Sequence, residues 1–410
     1  MGSDFLFYII VGILIVQYAI DTFLDFLNAK YFLKEIPDEL KDVYDANEYR
    51  KAQNYHQENY RFGILKDGVS LLAVLGFLFL GGFKVVDILV QESFENSILQ
   101  ALGFFGILTL GSSIISFPFS YYQTFYIEEK FGFNKTTKNT FFLDMLKSAL
   151  LSMVLGGGVL ALVIWFLEWA GSNFWFYVWG VAIFLMIFMN LFYSKLLVPL
   201  FNKQTLLEPG NLKTAIENYS QKVGFDLKNI FVIDGSKRST KANAYFSGFG
   251  KQKRITLYDT LINDLEEEEI VAVLAHEVGH YKRKHIIFNM FSSILLTGFT
   301  LYLLSLFINI PQLSLAIGVE ESSYHAGLLA FFLLYSPISI LTGLVMNHLS
   351  RKFEFQADDY AKKTFASHPL ISSLKKLSKS NLSNLTPHPA YVFVHYSHPP
   401  LIERIRNLKA

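Results

Sequence analysis

The chain has no cysteine among its 410 residues. This absence excludes disulfide bonds, a thiol nucleophile and thiolate ligands for a metal ion. A transition metal bound by this protein therefore has to be held by histidine and carboxylate side chains. Ten histidines and 35 acidic residues are present to supply such ligands.

Charged residues are also scarce, because only 17% of the chain is Asp, Glu, Lys or Arg, against about 25% in a typical soluble protein. Hydrophobic residues make up 52% and are gathered in long runs, which are typical of membrane spans. The net charge of +1 shows no basic excess, so nucleic acid is not expected as a partner. The composition predicts an integral membrane protein that lies in a lipid bilayer.

Seven apolar runs are close to the length that crosses about 30 Å of hydrocarbon at 1.5 Å per residue. The first has no Lys or Arg before it and no small-residue cleavage pattern after it, so we interpret it as a retained span. The second is the shortest and is extended by Val85 and Val86. The runs cover residues 5–26, 68–83, 98–121, 148–167, 174–197, 286–310 and 326–348.

Loops rich in Lys and Arg alternate with loops that have none. By the positive-inside rule, this pattern places the N-terminus outside, or in the lumen, and the C-terminus in the cytosol. Lys84 is the one exception, and we expect its side chain to extend to the outer interface. The pattern predicts a multi-pass protein of the endoplasmic reticulum in a eukaryote, or of the inner membrane in a bacterium.

The spans divide the chain into four parts. Residues 1–200 hold spans one to five with their cytosolic loops, and residues 286–348 hold spans six and seven. Residues 201–285 and 349–410 are two cytosolic segments on the same side of the membrane. The predicted fold is therefore mainly α, a polytopic membrane protein with a soluble part that faces the cytosol.

The first cytosolic segment has a mixed pattern of apolar residues. An amphipathic pattern predicts a helix over residues 211–223, and short β-branched and aromatic runs predict a small β-sheet. The second segment is mostly helical. The predicted strands cover residues 229–233, 242–246 and 254–258, with a glycine-rich turn at 248–250.

The stretch His276-Glu277-Val278-Gly279-His280 has the H-E-x-x-H arrangement of zinc-dependent hydrolases. On a helix, positions i and i+4 share one face, so His276 and His280 can offer two imidazoles to one ion. Glu277 neighbours the first imidazole and can reach a water held on that ion. The alternative is a pair of surface histidines on an amphipathic helix.

A catalytic zinc ion usually has three protein ligands and one open position, so a third ligand is needed. The metzincin pattern requires Gly and His where this chain has Arg283 and Ile286, which excludes that family. Glu354 is the best candidate, because it lies just past the seventh span on the cytosolic side.

Four polar side chains share one face of the helix predicted around Glu354, namely Asn347, Arg351, Glu354 and Asp358. Such a face beside the membrane is costly unless it has a function. We expect Glu354 to bind the metal, and Asp358 and Asn347 to support the ligands, Asp358 by accepting an imidazole N–H. The alternative is an interfacial polar face with an ion pair between Arg351 and Glu354.

Zinc lowers the pKa of a bound water to about 7, so Glu277 is expected to take the proton of that water and later to pass one to the leaving amine. The oxyanion needs a donor besides the metal, and the candidates are His398, Arg351 and Asn347. The other histidines are interpreted as surface or loop residues. Among them, His285 is predicted to lie off the ligand face.

Several stretches together resemble the membrane zinc metalloproteases that act as CAAX prenyl proteases, the Ste24-type endopeptidases of an M48-like family. They run from the first cytosolic loops to the C-terminal tail, so the resemblance covers nearly the whole chain. The stretches are EEKFGFN (128–134), FVIDGSKRS (231–239), KANAYF (241–246), HEVGH (276–280), SRKFEFQAD (350–358) and SHPPL (397–401).

The resemblance implies a ring of seven helices around a large water-filled chamber, closed on the cytosolic side by a gluzincin-like zinc domain. It implies one zinc ion per chain, held by His276, His280 and Glu354, with Glu277 as the base. It also implies that His398 stabilises the tetrahedral intermediate, whereas a histidine in this loop could also be a simple loop residue.

The resemblance further implies that the strand over 242–246 is an edge strand that pairs with the substrate backbone, a common way to hold an extended peptide. Asn243, Ala244 and Tyr245 are then expected beside the bound peptide. The alternative for Asn243 is a turn residue at the end of the strand.

Three functions remain as hypotheses at this point. The family's reaction removes the last three residues from a prenylated C-terminus. A related membrane metalloprotease could instead degrade damaged membrane proteins without a prenyl group, and a transporter or scaffold could hold a structural zinc ion. The expected partners are a peptide or protein substrate, which is prenylated in the first hypothesis, and the bilayer, with the protein acting as a monomer.

Overall fold

A computed structural model describes residues 2–32, 34–225, 227, 229–247 and 254–410. The glycine-rich turn predicted at 248–250 lies outside the described residues. The described chain is mainly helical and contains one small sheet, as the sequence predicts.

The described residues of the first half form eight helices, with a π-helical segment, Gln123–Glu128, between the fourth and the fifth. The longer ones correspond to the predicted spans. In chain order the helices are α1 (Ser3–Tyr31), α2 (Ala46–Phe79), α3 (Gly82–Ser93), α4 (Ser97–Tyr122), α5 (Glu129–Phe131), α6 (Lys138–Ala170), α7 (Phe174–Leu196) and α8 (Val198–Phe201).

The second half contains the sheet and nine further helices among its described residues. The strands are β1 (Gln204–Leu206), β2 (Asn229–Ile233), β3 (Ala244–Ser247) and β4 (Arg254–Tyr258). The helices are α9 (Asn211–Lys222), α10 (Asp259–Asp264), α11 (Glu267–Lys282), α12 (His285–Phe307), α13 (Pro311–Ala316), α14 (Tyr324–Thr364), α15 (Ser367–Ser380), α16 (Pro389–His395) and α17 (Leu401–Lys409).

Six continuous helical segments of the described chain are long and apolar enough to cross a membrane. The segment Lys138–Phe201 has 64 residues, far more than the about 20 that one crossing needs. It folds back at the 3-10 turn Gly171–Asn173, so that Phe166 of α6 stacks on Tyr177 of α7 with ring centroids 5.5 Å apart. The seven predicted spans correspond to these six segments, the fourth of which is this hairpin of two helices.

The second span differs from its prediction at both ends. α2 begins at Ala46, where Asp45 and Glu48 form a capping box, so its first half is a polar helix that a hydropathy pattern does not detect. The helix ends at Phe79 because Gly81 adopts a left-handed conformation with φ of 70°. Val85 and Val86 therefore do not extend the span, since they belong to α3.

The spanning helices pack against one another in a closed order. α1 contacts α2, and the chain of contacts continues through α3, α4, α6, α7 and α12 to α14, which contacts α1 again. Only 6–17% of the residues in the most apolar stretch of each segment are buried, so most residues of these stretches are not covered by other parts of the protein. The water-filled chamber that the resemblance implies stays a prediction.

The end of the ring opposite the soluble segments is held by two polar contacts. His325, at the start of α14, lies 2.6 Å from Asp87 of α3, and both side chains are buried. His325 is thus not the surface residue that the sequence suggests. Lys84 pairs with Glu320 at 2.5 Å, so this lysine is neutralised by an ion pair in addition to any contact with the interface.

The sheet has the strand order β1-β2-β4-β3. β2 and β4 pair in parallel, whereas β1 pairs antiparallel with β2, and β3 antiparallel with β4. β1 is too short to show a pattern in the sequence, and β3 begins two residues later than predicted. Among the described strands β3 lies at one edge of the sheet, as expected.

α14 joins the membrane to the soluble part. It has 41 residues and is therefore about 60 Å long, which is twice the thickness of the hydrocarbon core. The seventh span and the helix that carries Glu354 are one element, although the sequence treats them as two. The position of Glu354 is consequently tied to the span.

α11 packs closely on this same helix. Its N-terminus is fixed by a capping box between Glu266 and Glu269, and most of its apolar residues lie in the core of the soluble part. Gly279 faces the backbone of α14, because a Cβ atom on Gly279 would lie 3.0 Å from both Cα and O of Ala357. A hydrogen in place of a side chain is therefore what lets the two helices approach.

Gly279→Ala is expected to lower the free energy of unfolding by about 1–3 kcal/mol, because the added methyl group overlaps a backbone that cannot move aside cheaply. Gly343→Ala is the matched control, since nothing lies within 4 Å of a Cβ atom at that position of α14. Thermal unfolding in detergent measures both variants. Equal melting temperatures would contradict the close packing.

Candidate metal centre

His276 and His280 lie one turn apart on α11 and point to the same place. Their Nε2 atoms are 3.1 Å apart. His276 is buried and His280 is partly buried, so neither is the free surface histidine of the alternative interpretation.

Glu354 of α14 completes a group of three. Its Oε1 lies 3.2 Å from Nε2 of His280, and its Oε2 lies 3.4 Å from Nε2 of His276. Ligand atoms around a tetrahedral metal ion with bonds of about 2.0–2.1 Å lie about 3.3 Å apart. The three side chains thus have the spacing of a metal site, as the sequence predicts.

The chemistry of these donors also fits a metal ion. Glu354 is 4% exposed, and its Oε2 accepts no hydrogen bond from the described residues. A buried carboxylate oxygen without a hydrogen bond is costly unless cations lie beside it. Nη1 of Arg404 lies 3.5 Å away, and a metal ion would be a second cation beside this oxygen. Two imidazole nitrogens and one carboxylate, with no thiolate in the chain, form the donor set of a catalytic zinc site.

One arm of the site supports His276. Its Nδ1 lies 2.9 Å from Oδ1 of Asp358, the contact expected of a carboxylate that accepts an imidazole N–H. Arg404 of α17 donates to both oxygens of Asp358, at 2.9 and 2.6 Å, and lies 3.5 Å from Oε2 of Glu354. These contacts hold the first imidazole between two carboxylates.

The electrostatics of this arm favour positive charge. Burial lowers the pKa of His276, but Asp358 and Glu354 outweigh it and raise that pKa to about 9. Burial also lowers the pKa of Arg404, whereas Asp358, Glu354 and Glu277 raise it overall. The centre is therefore an anionic pocket that favours bound cations.

Arg404 was not predicted from the sequence. It lies 46 residues after Asp358 and has no spacing relation to the H-E-x-x-H motif. Only the packing of α17 against α14 brings it to the site. A half-buried arginine beside two acidic residues is a tertiary feature that local patterns do not contain.

A second set of contacts reaches His280 and shows that His285 is buried, not the surface or loop residue that the sequence predicts, although it lies outside the group of three ligand side chains. Nδ1 of His285 lies 3.0 Å from Nδ1 of His280, and its Nε2 lies 2.9 Å from Oε1 of Gln356. The sequence argument extended one helix through this region. In the structure α11 ends at Lys282, and Lys284 has a left-handed φ of 61°, so His285 starts a new helix and turns back to the site.

His398 lies on the exposed side of the centre. Its Nε2 is 3.4 Å from Oε1 of Glu354, and its side chain is 65% exposed. Nδ1 is 3.0 Å from Oγ of Ser397. Glu277, which follows His276 on α11, is half-buried.

Arg351 and Asn347 are placed differently from the sequence prediction. Nη1 of Arg351 donates to the carbonyl groups of Val392, Phe393 and Tyr396, and Asn347 donates to that of Val394. Both residues therefore hold the end of α16, which leads into the loop with His398. In the described structure neither contacts the three ligand side chains, so the alternative ion pair between Arg351 and Glu354 is also absent.

The predicted substrate residues lie at the start of the edge strand. Ala244 and Tyr245 belong to β3, and the exposed Asn243 precedes it. Oδ1 of Asn243 accepts a hydrogen bond from its own neighbour, the amide of Ala244. This bond fits a residue that begins a strand. The outer edge of β3 pairs with no other described strand.

The other stretches that carry the family resemblance brace this edge strand. Lys241 pairs with Glu128 at 2.9 Å, and Tyr55 of α2 donates to the same carboxylate at 2.6 Å. Arg238 binds both oxygens of Asp144 of α6 at 2.7 and 2.9 Å. The segment before β3 is therefore attached to the membrane helices.

Two histidines on one helix and a glutamate at the end of a membrane helix define an integral-membrane metallopeptidase. Residues 28–203 match the family described as CAAX prenyl protease N-terminal, five membrane helices, and residues 207–410 match peptidase family M48. The chain belongs to peptidase family M48, and it is a multi-pass metalloendopeptidase of the CAAX prenyl protease type.

Similar proteins cover nearly the whole chain. The CAAX prenyl protease 1 homolog of Arabidopsis thaliana is 37% identical over 97% of this chain and 96% of its own length. CAAX prenyl protease 1 of Saccharomyces cerevisiae is 35% identical over 98% and 94%. The crystal structure of S. mikatae Ste24p matches with a TM-score of 0.93 and 33% identity over 99% of each chain. The hypothesis of a non-catalytic transporter or scaffold is thereby excluded.

Glu354→Ala is expected to release the bound metal, because among the described residues Glu354 is the ligand that joins α14 to the histidine pair. Asp359→Ala is the control, since Asp359 lies on the same helix and bonds to Asn407. Metal per chain is measured by elemental analysis of the purified proteins. Retention of one metal ion per chain in the Glu354 variant would show that this residue is not a ligand.

Proposed function

We propose that this protein is a zinc metalloendopeptidase that removes the last three residues from prenylated protein C-termini. The observation that carries the proposal is the group of His276, His280 and Glu354 at the end of a membrane helix, in a chain whose relatives are named CAAX prenyl proteases. The proposal includes one zinc ion per chain, held by these three residues. When bound, the ion supplies Lewis-acid chemistry, which lowers the pKa of a water and polarises a carbonyl group.

Glu277 acts as the general base. It follows the first ligand on α11, so its carboxylate is held on a rigid helix beside the pocket. It takes a proton from the attacking water as the water oxygen bonds to the peptide carbonyl carbon. It then gives that proton to the leaving nitrogen as the C–N bond breaks.

His398 stabilises the oxygen on which negative charge develops. Its imidazole is exposed on one side and lies 3.4 Å from the ligand Glu354 on the other, so it can reach a substrate at the centre. A donor placed where charge develops in the transition state is usually a large term in catalysis. Arg351 and Asn347 contribute indirectly, because they fix α16 and therefore the loop that carries His398.

β3 presents the substrate backbone to the centre. An unpaired strand edge offers amide and carbonyl groups to an extended peptide, and Asn243, Ala244 and Tyr245 are the residues that line it. The ion pair of Lys241 with Glu128 holds this edge in place. The substrate thus adds a strand to the four described ones.

The membrane position of the centre supports a lipid-anchored substrate. Glu354 lies on the helix that continues from the seventh span, so a C-terminus anchored by a prenyl group is delivered at the height of the active site. We propose that the protein acts as a monomer, with its N-terminus outside or lumenal and its C-terminus in the cytosol. The alternation of basic loops supports this orientation, in the endoplasmic reticulum of a eukaryote or the inner membrane of a bacterium.

The test compares the purified protein with Glu277→Gln on paired prenylated and unprenylated C-terminal peptides. The natural protein is expected to release a C-terminal tripeptide from the prenylated peptide, and a chelator should stop the reaction. Glu277→Gln should bind the same amount of zinc and lose at least about 100-fold in rate, the typical contribution of a general base. Mass spectrometry identifies the cut site.

Two results would contradict the proposal. Equal hydrolysis by Glu277→Gln would remove the residue from its role as base. Equal hydrolysis of prenylated and unprenylated peptides would instead favour the protease that degrades membrane proteins without a prenyl group.

A further inference from the structure

His285 is a buried histidine for which the hydrolysis described above has no use. It is 3% exposed and lies between His280 and Gln356. Its ring stacks on Phe353, with centroids 4.2 Å apart and an angle of 10° between the planes. The ring is therefore held in one orientation, and both of its nitrogens have a partner.

The directions of the hydrogen bonds follow from the role of His280. Its Nε2 faces His276 and Glu354, so this atom must offer a lone pair to a metal, and the proton of the neutral ring must be on Nδ1. That N–H donates to Nδ1 of His285, 3.0 Å away. His285 then carries its own proton on Nε2, which donates to Oε1 of Gln356 at 2.9 Å.

Metal binding is prevented if these two hydrogen bonds run in the opposite direction. If the amide nitrogen of Gln356 donates to His285, then Nδ1–H of His285 donates to His280, and the proton of His280 is left on Nε2. That N–H points at the metal position. The direction in which these two hydrogen bonds run therefore decides whether His280 is a ligand.

The two histidine ligands are supported in different ways. His276 is held by Asp358, a carboxylate that only accepts hydrogen bonds when ionised and is itself bound to Arg404. His280 is held by two neutral groups in sequence. Because an ionised carboxylate can only accept hydrogen bonds, Nδ1 of His276 must be the donor to Asp358. The direction of the hydrogen bond from His280 depends instead on both His285 and Gln356.

We propose that His285 is a positioning residue that keeps the proton of His280 on Nδ1, with Gln356 as the final acceptor of the chain. The proposal rests on the proposed function, because it deepens the role of the same centre. It does not place His285 in contact with substrate. Its consequence is a tighter bond between His280 and zinc.

The test measures zinc affinity of the full-length protein in detergent by competition with a chromogenic chelator. His285→Ala and Gln356→Met are each expected to weaken zinc binding by about 10–100-fold, the usual cost of losing a group that supports a ligand histidine. Methionine is similar in length to glutamine but has almost no hydrogen-bonding capacity. His348→Ala is the control, because it is an exposed histidine of α14, and its affinity should equal that of the natural protein.

Two further variants test whether the two hydrogen bonds act in sequence. The double variant His285→Ala/Gln356→Met should bind zinc no more weakly than His285→Ala alone, because Gln356 acts only through His285. Gln356→Glu should keep the affinity of the natural protein or exceed it, because a carboxylate accepts from His285 and cannot support the opposite direction.

Natural affinity in Gln356→Met overturns the proposal, and this variant applies even if His285→Ala fails to fold. A double variant that is at least tenfold weaker than His285→Ala also overturns it, because Gln356 would then act by another route. In both cases the proposed function stands if the natural protein binds one zinc ion. Absence of zinc binding by the natural protein would overturn the proposed function together with this inference.

Discussion

The approach of α11 to α14 is the contact on which the centre depends. Gly279 lets the helix with both histidines lie against the backbone at Ala357, between Glu354 and Asp358. A carboxylate buried without a partner is unfavourable. The packing of the two helices brings Glu354 to two partner imidazoles, at 3.2 and 3.4 Å. The metal site is therefore a property of the interface between two helices and not of the motif on one of them.

The same two helices connect the chemistry to the bilayer. α14 carries Glu354 at the end of a helix that crosses the membrane. α11 ends at Lys282, and three residues later His285 begins α12, which is itself a span. The edge strand is also attached to the membrane helices, through Lys241 and Glu128. The metal ligands, the side chains that support them and the edge strand are thus all attached to the membrane helices.

The parts of the site that follow helical periodicity could be predicted from the sequence. His276, His280 and Glu354 meet as expected, and Asp358 contacts His276. The errors concern contacts that periodicity does not contain. The left-handed conformation of Lys284 returns His285 to the site.

The long side chains on the predicted polar face were the other source of error. Arg351 lies on the expected face of α14 but reaches the carbonyl groups of α16, since a guanidinium group can satisfy several acceptors at a distance from its own helix. Arg404 reaches the centre from a helix that no spacing rule connects with it. The apolar helices could be predicted from the sequence because their hydrophobic length is set by the bilayer, although the structure has six such continuous segments where seven spans were predicted.

X-ray absorption spectroscopy of the zinc-loaded protein tests the central claim most directly. The account predicts four ligands at about 2.0–2.1 Å with the scattering pattern of two imidazoles, and a shell of six oxygen atoms without imidazole would contradict it.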